Sequence, residues 1–331
     1  MASIQLSIVI VNWNSKEYVR RCIASIVATT VGIEYEIIVV DSGSFDGCGD
    51  MLLSLYPLVR FVQSHENLGF GRANNLGASY ARGDILLMLN PDTEVRGSAI
   101  EQLYTCMHEL PRPGVVGCRL LNTDGSLQRN CVQPFPTIPN QILNCEALQR
   151  WFPRTGLWLT ATTFQNVVSP VPVAAVSGAC MVIHRSVFDL VEGFSTEYFM
   201  YGEDLDLCYK TRASGFVNYH VPRVEIVHHG GGSTRQSRFS EIMIRESVRR
   251  LLVKTHGEYY SLGYRLGLTV AAVVRLGVML LIFPAALIRR STNRWCAAFA
   301  RWKNVFCWGV GLENWVAEYG RPGKAEDAAC A

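Results

Sequence analysis

Four short apolar runs set the fold of the first ninety residues: Leu6 to Val11 (LSIVIV), Tyr35 to Val40 (YEIIVV), Val59 to Gln63 and Ile85 to Leu89 (ILLML). Runs rich in Val, Ile and Leu without sustained polar alternation suit strands covered on both faces of a parallel sheet. Helix-like stretches separate them, from Ser15 to Ala28, Asp46 to Leu55 and Phe70 to Ala81. This βαβα succession predicts an α/β fold with a doubly wound, mostly parallel sheet. In such sheets ligands bind at the C-terminal ends of the strands. At 331 residues the chain is long enough for one large domain of about 250 residues plus an appendage. With 49% apolar and 18% charged residues it can bury a large core and is not a disordered chain.

Polar residues gather at the predicted strand ends. The first strand runs into Asn12-Trp13-Asn14-Ser15, the second into Asp41-Ser42-Gly43-Ser44, the fourth into Asn90-Pro91-Asp92-Thr93-Glu94. Ser15 or Asp46 alone reads as a helix cap. Three such endings on one edge read as a nucleotide site. A GxGxxG turn is missing after the first strand, which disfavours a nicotinamide or flavin site. Gly114 to Gln165 is rich in Pro, Gly and aromatic residues (Pro134, Phe135, Pro136, Trp151, Trp158) and receives no role. Strand-like sequence resumes at Val171 to Ile183 and again at Val224 to His229, which leads into Gly230-Gly231-Gly232-Ser233-Thr234.

Tyr201 to Gly215 (YGEDLDLCYKTRASG) places Glu203, Asp204 and Asp206 at a helix start, with Gly202 before them and Lys210, Arg212 and Gly215 at the far end. Two readings stand on this segment alone. The acids complement the helix macrodipole, or one of them is a carboxylate poised to take a proton from a hydroxyl.

The C-terminal sequence changes character. Leu266 to Ile288 is apolar apart from Arg275 and small polar residues, and Pro284 is expected to kink it. Arg289, Arg290 and Arg294 follow, then Trp295, Trp302, Trp308 and Trp315. From Ser261 onward nine Lys/Arg face four Asp/Glu, whereas the preceding residues carry 22 against 24. Basic charge and tryptophans beside an apolar helix favour an interfacial or re-entrant segment at an anionic membrane surface. A packed amphipathic helix and a single span are the alternatives. Nucleic acid is not an expected partner, because no basic-aromatic recognition module stands out. Eleven scattered cysteines without a CxxC pair, and a start that runs straight into a strand pattern, predict reduced thiols and a cytosolic active part.

Taken in order, SIVIVNWNS, VVDSGSFDG, NLGFGRANNLGA, LNPDTE, VSGACMVIHRSVFDLVEGFSTEYFMYGEDLDLC and HHGGGST resemble the motifs of family 2 glycosyltransferases. The likeness is to bacterial rhamnosyltransferase-like members that build surface polysaccharides such as lipopolysaccharide, and it covers about Leu6 to Thr234. It implies a GT-A fold, taken as residues 1–256 with a nucleotide-sugar half (1–110) and an acceptor half (111–256); the tail (257–331) lies outside the match and is expected to be helical and membrane-associated from its own apolar sequence. It also implies an inverting hexosyltransferase. The donor would be a dTDP-, UDP- or GDP-sugar, with dTDP-rhamnose favoured, and the acceptor a lipid-linked glycan. The enzyme would work on the cytoplasmic side of the inner membrane, as a peripheral or monotopic protein.

By the same resemblance Asn12, Asn14, Asp41, Asn67, Gly69 and Asn75 frame the nucleotide. Asp92 and His228 hold Mg²⁺ or Mn²⁺, Asn90 replaces the first Asp of the usual DxD, and Glu94 and His229 are the second choices. Asp204 is the catalytic base, Glu203 its partner, and Asp206 a structural group. Two other classes were weighed. A sugar-phosphate nucleotidyltransferase would carry a Gly-rich basic loop after the first strand, and a non-catalytic nucleotide-sugar-binding protein would be expected to lack Asp92 or Asp204.

Overall fold

The computed structural model describes residues 4–143, 151, 160–230, 238–288 and 292–317. Two compact units emerge, one formed by residues 1–135, 153–233 and 322–331 and the other by 136–152 and 234–321.

The first unit begins with β1 (Leu6–Asn12), α1 (Lys16–Thr29), β2 (Tyr35–Ser42), α2 (Cys48–Leu55), β3 (Arg60–Ser64), α3 (Gly69–Ser79), β4 (Ile85–Leu89), β5 (Thr93–Val95), α4 (Ala99–Glu109), β6 (Pro113–Leu121) and β7 (Val132–Gln133). The second unit contributes α5 (Ile138–Ile142) at this point in the chain. The first resumes with β8 (Val171–Pro172), β9 (Ala175–Val176), β10 (Cys180–His184), α6 (Arg185–Leu190), α7 (Glu203–Ala213) and β11 (Val217–His228).

The main sheet has the order β3-β2-β1-β4-β10-β6-β11-β5, with β8 paired to β11. β3, β2, β1 and β4 are mutually parallel, and β6 is parallel to β11. β10 runs antiparallel to both of its neighbours, β4 and β6. The expected doubly wound, mostly parallel sheet is therefore present. Its chain moves outward from β1 through β2 to β3, then returns to β4 on the other side of β1. That reversal opens a crevice at the C-terminal ends of β1 and β4, where Asn12 and Asn90 lie.

The apolar runs pack as their composition demands: Ile8, Val9, Ile10, Ile38, Val39, Val40, Leu86 and Met88 are fully buried. The third run departs from expectation. β3 is the edge strand and is only partly covered, in keeping with the charged and amide residues in its sequence RFVQS. The run from Val171 to Ile183 is also broken, into β8, β9 and the antiparallel β10, with Ser177 and Gly178 at the last break.

The helix α3 comes unusually close to its neighbours. A Cβ at Gly77 would lie 2.3 Å from Val9 Cγ1 and 3.2 Å from Val40 Cγ2, so glycine is what lets the helix settle on β1 and β2. At its start Gly69 has φ +70, and a Cβ there would fall 2.0 Å from the carbonyl oxygen of Phe199.

The second unit adds to α5 three long helices, α8 (Arg238–His256), α9 (Glu258–Ile288) and α10 (Thr292–Gly309). It takes in α8, ahead of the sequence boundary at 256/257. Glu246 of α8 explains the grouping: it is buried, pairs with Arg249 and Arg250, and accepts the Trp308 indole N–H of α10 at 3.2 Å. From α9, Arg265 donates to the carbonyls of Trp308 and Gly309. The helix α9 is continuous past Pro284, so the expected kink does not interrupt it.

Gly69→Ala should lower the unfolding free energy by about 1–3 kcal/mol through its left-handed backbone alone, with the overlap on Phe199 adding to the loss. Urea denaturation followed by tryptophan fluorescence measures this directly.

Candidate active site

The acid block follows a sharp turn of the chain. Tyr201 (φ +68) and Gly202 (φ +84) are consecutive left-handed residues, and α7 starts at the next position. Its three first-turn acids then diverge. Asp206 is fully buried and accepts from the Ser195 hydroxyl, with the Tyr198 hydroxyl at 3.5 Å and Lys210 Nζ at 4.0 Å. It anchors the loop that leads into the acids, in the structural role expected of it.

Asp204 is only part-buried. Its Oδ1 accepts from the backbone N–H of Leu205 at 2.8 Å. Its Oδ2 accepts from the Gly178 backbone N–H at 3.1 Å and from Gln133 Nε2 at 3.3 Å. Glu203 is 6% exposed, and its Oε2 has no hydrogen-bond partner among the described residues. Burial first, and the charge of Asp204 second, push the Glu203 carboxyl up to about 8. Burial also raises Asp204, but its three donors work against that shift. The donors gather on Asp204, so of the two adjacent carboxyls it is the better placed to hold the negative charge, and Glu203 to hold the proton.

The loop before α7 is held by α3. Asn75 donates from Nδ2 to the Phe194 carbonyl (2.8 Å) and accepts the Phe194 N–H on Oδ1 (2.9 Å). Phe70 N–H reaches the Phe199 carbonyl at 3.0 Å, and the Arg72 guanidinium donates to the Thr196 carbonyl. Two predicted nucleotide residues, Gly69 and Asn75, are therefore placed against this loop. Asn67, just before α3, accepts from Ser42 and from the Gly69 N–H on its Oδ1.

At the strand ends the register sets Asn12 opposite Asp41. Asn12 is fully buried and donates to Asp41 (2.7 Å), Ser44 (3.2 Å) and Asp46 (3.1 Å), while its Oδ1 accepts from Ser15. Asp41 also accepts from the Ser44 N–H, the Ser44 hydroxyl and Gln63 Nε2. Asn12 and Asp41 thus fasten the loops after β1, β2 and β3 to one another. Asn14 is exposed, with φ +50.

A second cluster closes over the end of β4. His228 Nε2 lies 3.2 Å from Asp92 Oδ1 and 3.3 Å from Asn90 Nδ2. Asn90 Oδ1 is buried without a hydrogen-bond partner among the described residues. The second choices at this cluster bond elsewhere: His229 Nε2 is 3.7 Å from Glu94, and its Nδ1 is 3.1 Å from the Thr123 hydroxyl. Among the described residues no group of three His, Cys, Asp or Glu side chains could hold a metal ion. The cluster instead offers one carboxylate, one imidazole nitrogen and one orphaned amide oxygen. This donor set fits a hard divalent cation that keeps places for phosphate oxygens or water. Gly231 to Thr234 lie outside the described residues.

Gln133 and Gln128 were not foreseen. Gln133 donates to Asp204 and Gln128 holds His228, with Nε2 on its carbonyl (2.6 Å) and Oε1 at its Nδ1 (2.9 Å). Their only local signal is amide placement beside the buried Cys131 and Val132, in the stretch that received no role.

Known proteins resemble the chain over most of its length. The family model described as Glycosyl transferase family 2 matches residues 7–191. The N-acetylglucosaminyl-diphospho-decaprenol L-rhamnosyltransferase of Mycobacterium tuberculosis (strain ATCC 25618 / H37Rv) is 28% identical over 302 residues, covering 87% of this chain and 96% of that protein. The rhamnosyltransferase WbbL of Escherichia coli (strain K12) is 25% identical over 243 residues, covering 69% of this chain and 84% of that protein. Among solved structures, the mannosyltransferase PcManGT from Pyrobaculum calidifontis, in complex with GDP-Man and Mn²⁺, superposes with a TM-score of 0.58 at 16% identity. That superposition covers 95% of this chain and 88% of that one.

The carboxyl pair makes a pH prediction. Between about 4.5 and 8 the folded chain keeps a proton on Glu203 that the unfolded chain has released. Glu203 therefore makes the fold less stable as pH rises through that window. Glu203→Gln should flatten the fall in urea midpoint between pH 5 and 8 relative to wild type.

Proposed function

The chain belongs to glycosyl transferase family 2 and has the GT-A fold, and on that premise we propose that it is an inverting, metal-dependent L-rhamnosyltransferase acting on a lipid-linked glycan. The observation that carries the mechanism is Asp204, part-exposed and held by three donors, beside the buried Glu203, whose carboxyl burial pushes up to about 8. Asp204 accepts the proton of the acceptor hydroxyl as that oxygen attacks the anomeric carbon. The bond from that carbon to the diphosphate oxygen breaks, the nucleoside diphosphate leaves, and the sugar inverts in a single displacement. Glu203, neutral and buried, keeps the charge on its neighbour. Gln133 and the Gly178 N–H orient the carboxylate.

Asp92 and His228, with the Asn90 amide oxygen beside them, are the residues that would hold Mg²⁺ or Mn²⁺. When bound, such a cation neutralises charge on the departing diphosphate. The cross-linked loops carrying Asn12, Asp41 and Asn67, with the exposed Asn14, form the nucleotide end. A rhamnosyl donor, which we take as dTDP-rhamnose, follows the names of the mycobacterial and enterobacterial relatives, and a polyprenyl-diphosphate-linked acceptor follows the name of the mycobacterial one. A nucleotidyltransferase is disfavoured by the family.

The second unit supports a membrane-bound acceptor. Glu258–Phe283 of α9 is apolar and long enough to cross a bilayer, yet it packs on α8 and α10 along one side. Leu266, Val270, Val273, Val274, Val278 and Leu281 are exposed. Arg275, which would be costly in lipid, turns inward: it donates to the Ile142 carbonyl at 2.9 Å and lies 4.1 Å from the centre of the Trp302 ring. A helix with its cation folded inward and its apolar face bare suits a monotopic seat on the cytoplasmic leaflet.

Asp204→Asn should cut the rate of transfer by roughly 10²–10⁴, while melting temperature and calorimetric binding of the nucleoside diphosphate stay at wild-type values. Near-normal turnover would remove Asp204 from the mechanism. Val274→Glu with Val278→Glu, at exposed positions on one face, should move the protein from the membrane pellet to the soluble fraction. Retention in the pellet would refute the lipid-facing role of α9.

A further inference from the structure

A hairpin after β6 carries one more residue of this site. The strand turns back through Asn122–Ser126, closed by the Asn122 N–H on the Ser126 carbonyl (2.7 Å), with Gly125 at φ +80. Asp124 Oδ1 accepts both the N–H and the hydroxyl of Ser126, and the returning Gln128 N–H bonds the Leu120 carbonyl. The hairpin thereby brings Gln128 beneath His228 and Thr123 to His229.

The donors and acceptors around Gln128 fix one another in turn. Its Nε2 lies 2.6 Å from the His228 carbonyl, which can only accept, so the amide nitrogen must face that way. The amide oxygen is then the atom 2.9 Å from His228 Nδ1. That oxygen can only accept, so Nδ1 carries the hydrogen. In the neutral ring His228 Nε2 then keeps its lone pair, which faces Asn90 Nδ2 at 3.3 Å and Asp92 Oδ1 at 3.2 Å. The Asn90 contact satisfies a lone pair. The Asp92 contact sets a lone pair against a carboxylate oxygen, an arrangement that is favourable only with positive charge between them.

We propose that Gln128 is a positioning residue: it locks His228 in the Nδ1–H tautomer and so aims Nε2, as a ligand, into the gap shared with Asp92. The inference rests on the reading of Asp92 and His228 as metal ligands, and it adds the group that orients one of them. Outer partners of this kind hold both ring and tautomer, and their loss commonly weakens metal affinity 10- to 100-fold.

The test uses the full-length protein with ¹⁵N-labelled histidine. Long-range ¹H–¹⁵N spectra of the metal-free wild type should show His228 protonated at Nδ1 and lone-paired at Nε2. Gln128→Leu should admit the Nε2–H tautomer. It should also weaken Mn²⁺ binding, read by electron paramagnetic resonance in the presence of dTDP, by about 10- to 100-fold. Gln128→Glu, whose carboxylate still accepts from Nδ1–H, should retain both the tautomer and most of the affinity, which separates positioning from misfolding. A wild-type His228 with its proton on Nε2 overturns the proposal, and so does an unchanged tautomer and affinity in Gln128→Leu. If the tautomer responds but Asp92→Asn and His228→Ala leave Mn²⁺ affinity at the wild-type value, the metal reading fails and the tautomer lock stands.

Discussion

The contact between α3 and the loop before α7 is the constraint on which the site depends. Residues more than a hundred positions apart are joined side chain to main chain at Phe194 and Thr196 and main chain to main chain at Phe199, and the junction closes only because Gly69 has no Cβ. The N-terminal half of α3 therefore does work usually credited to nucleotide contact. It fixes the height and direction at which the acids emerge. With that loop held, Tyr201 and Gly202 can turn the chain and present Glu203 and Asp204 at the head of a helix.

From this placement the electrostatics follow. Three carboxyls in one helical turn would repel if all faced the same medium. They do not: Asp206 is spent on a serine, a tyrosine and a lysine, Glu203 is buried with its Oε2 unpartnered among the described residues, and Asp204 meets three donors. The same chemical group thus takes three different environments, according to which neighbours the fold provides. The macrodipole reading and the catalytic reading of the block are compatible, since a helix start favours charge on whichever acid keeps it.

Much of this was legible in the sequence because it is written locally. Buried strands show as runs of β-branched residues, their polar ends mark one edge, and the glycine before the acids marks the turn. β3 was misjudged because its position at the edge is a property of the sheet order, although its charged and amide residues fit an edge. Gln128 and Gln133 were illegible for another reason. Each acts on a residue 100 or 71 positions away, and nothing in local spacing encodes such a pairing. Asn75 shows the converse, a motif residue whose side chain bonds a distant backbone at Phe194.

The reversed direction of β10 has a metric consequence. Because it runs against β4 and β6, it begins at the edge where they finish, and Cys180 pairs with Leu89 while the Ala179 carbonyl accepts the Asn90 N–H. Gly178 on one side of that pairing holds Asp204, and Asp92 on the other faces His228. The spacing between Asp204 and the Asp92–His228 cluster is thus graduated in strand register. A slip of one residue would change it by about 3.3 Å and turn the side chains over. On the function proposed above, the sheet is the ruler that sets an attacking hydroxyl apart from a departing phosphate.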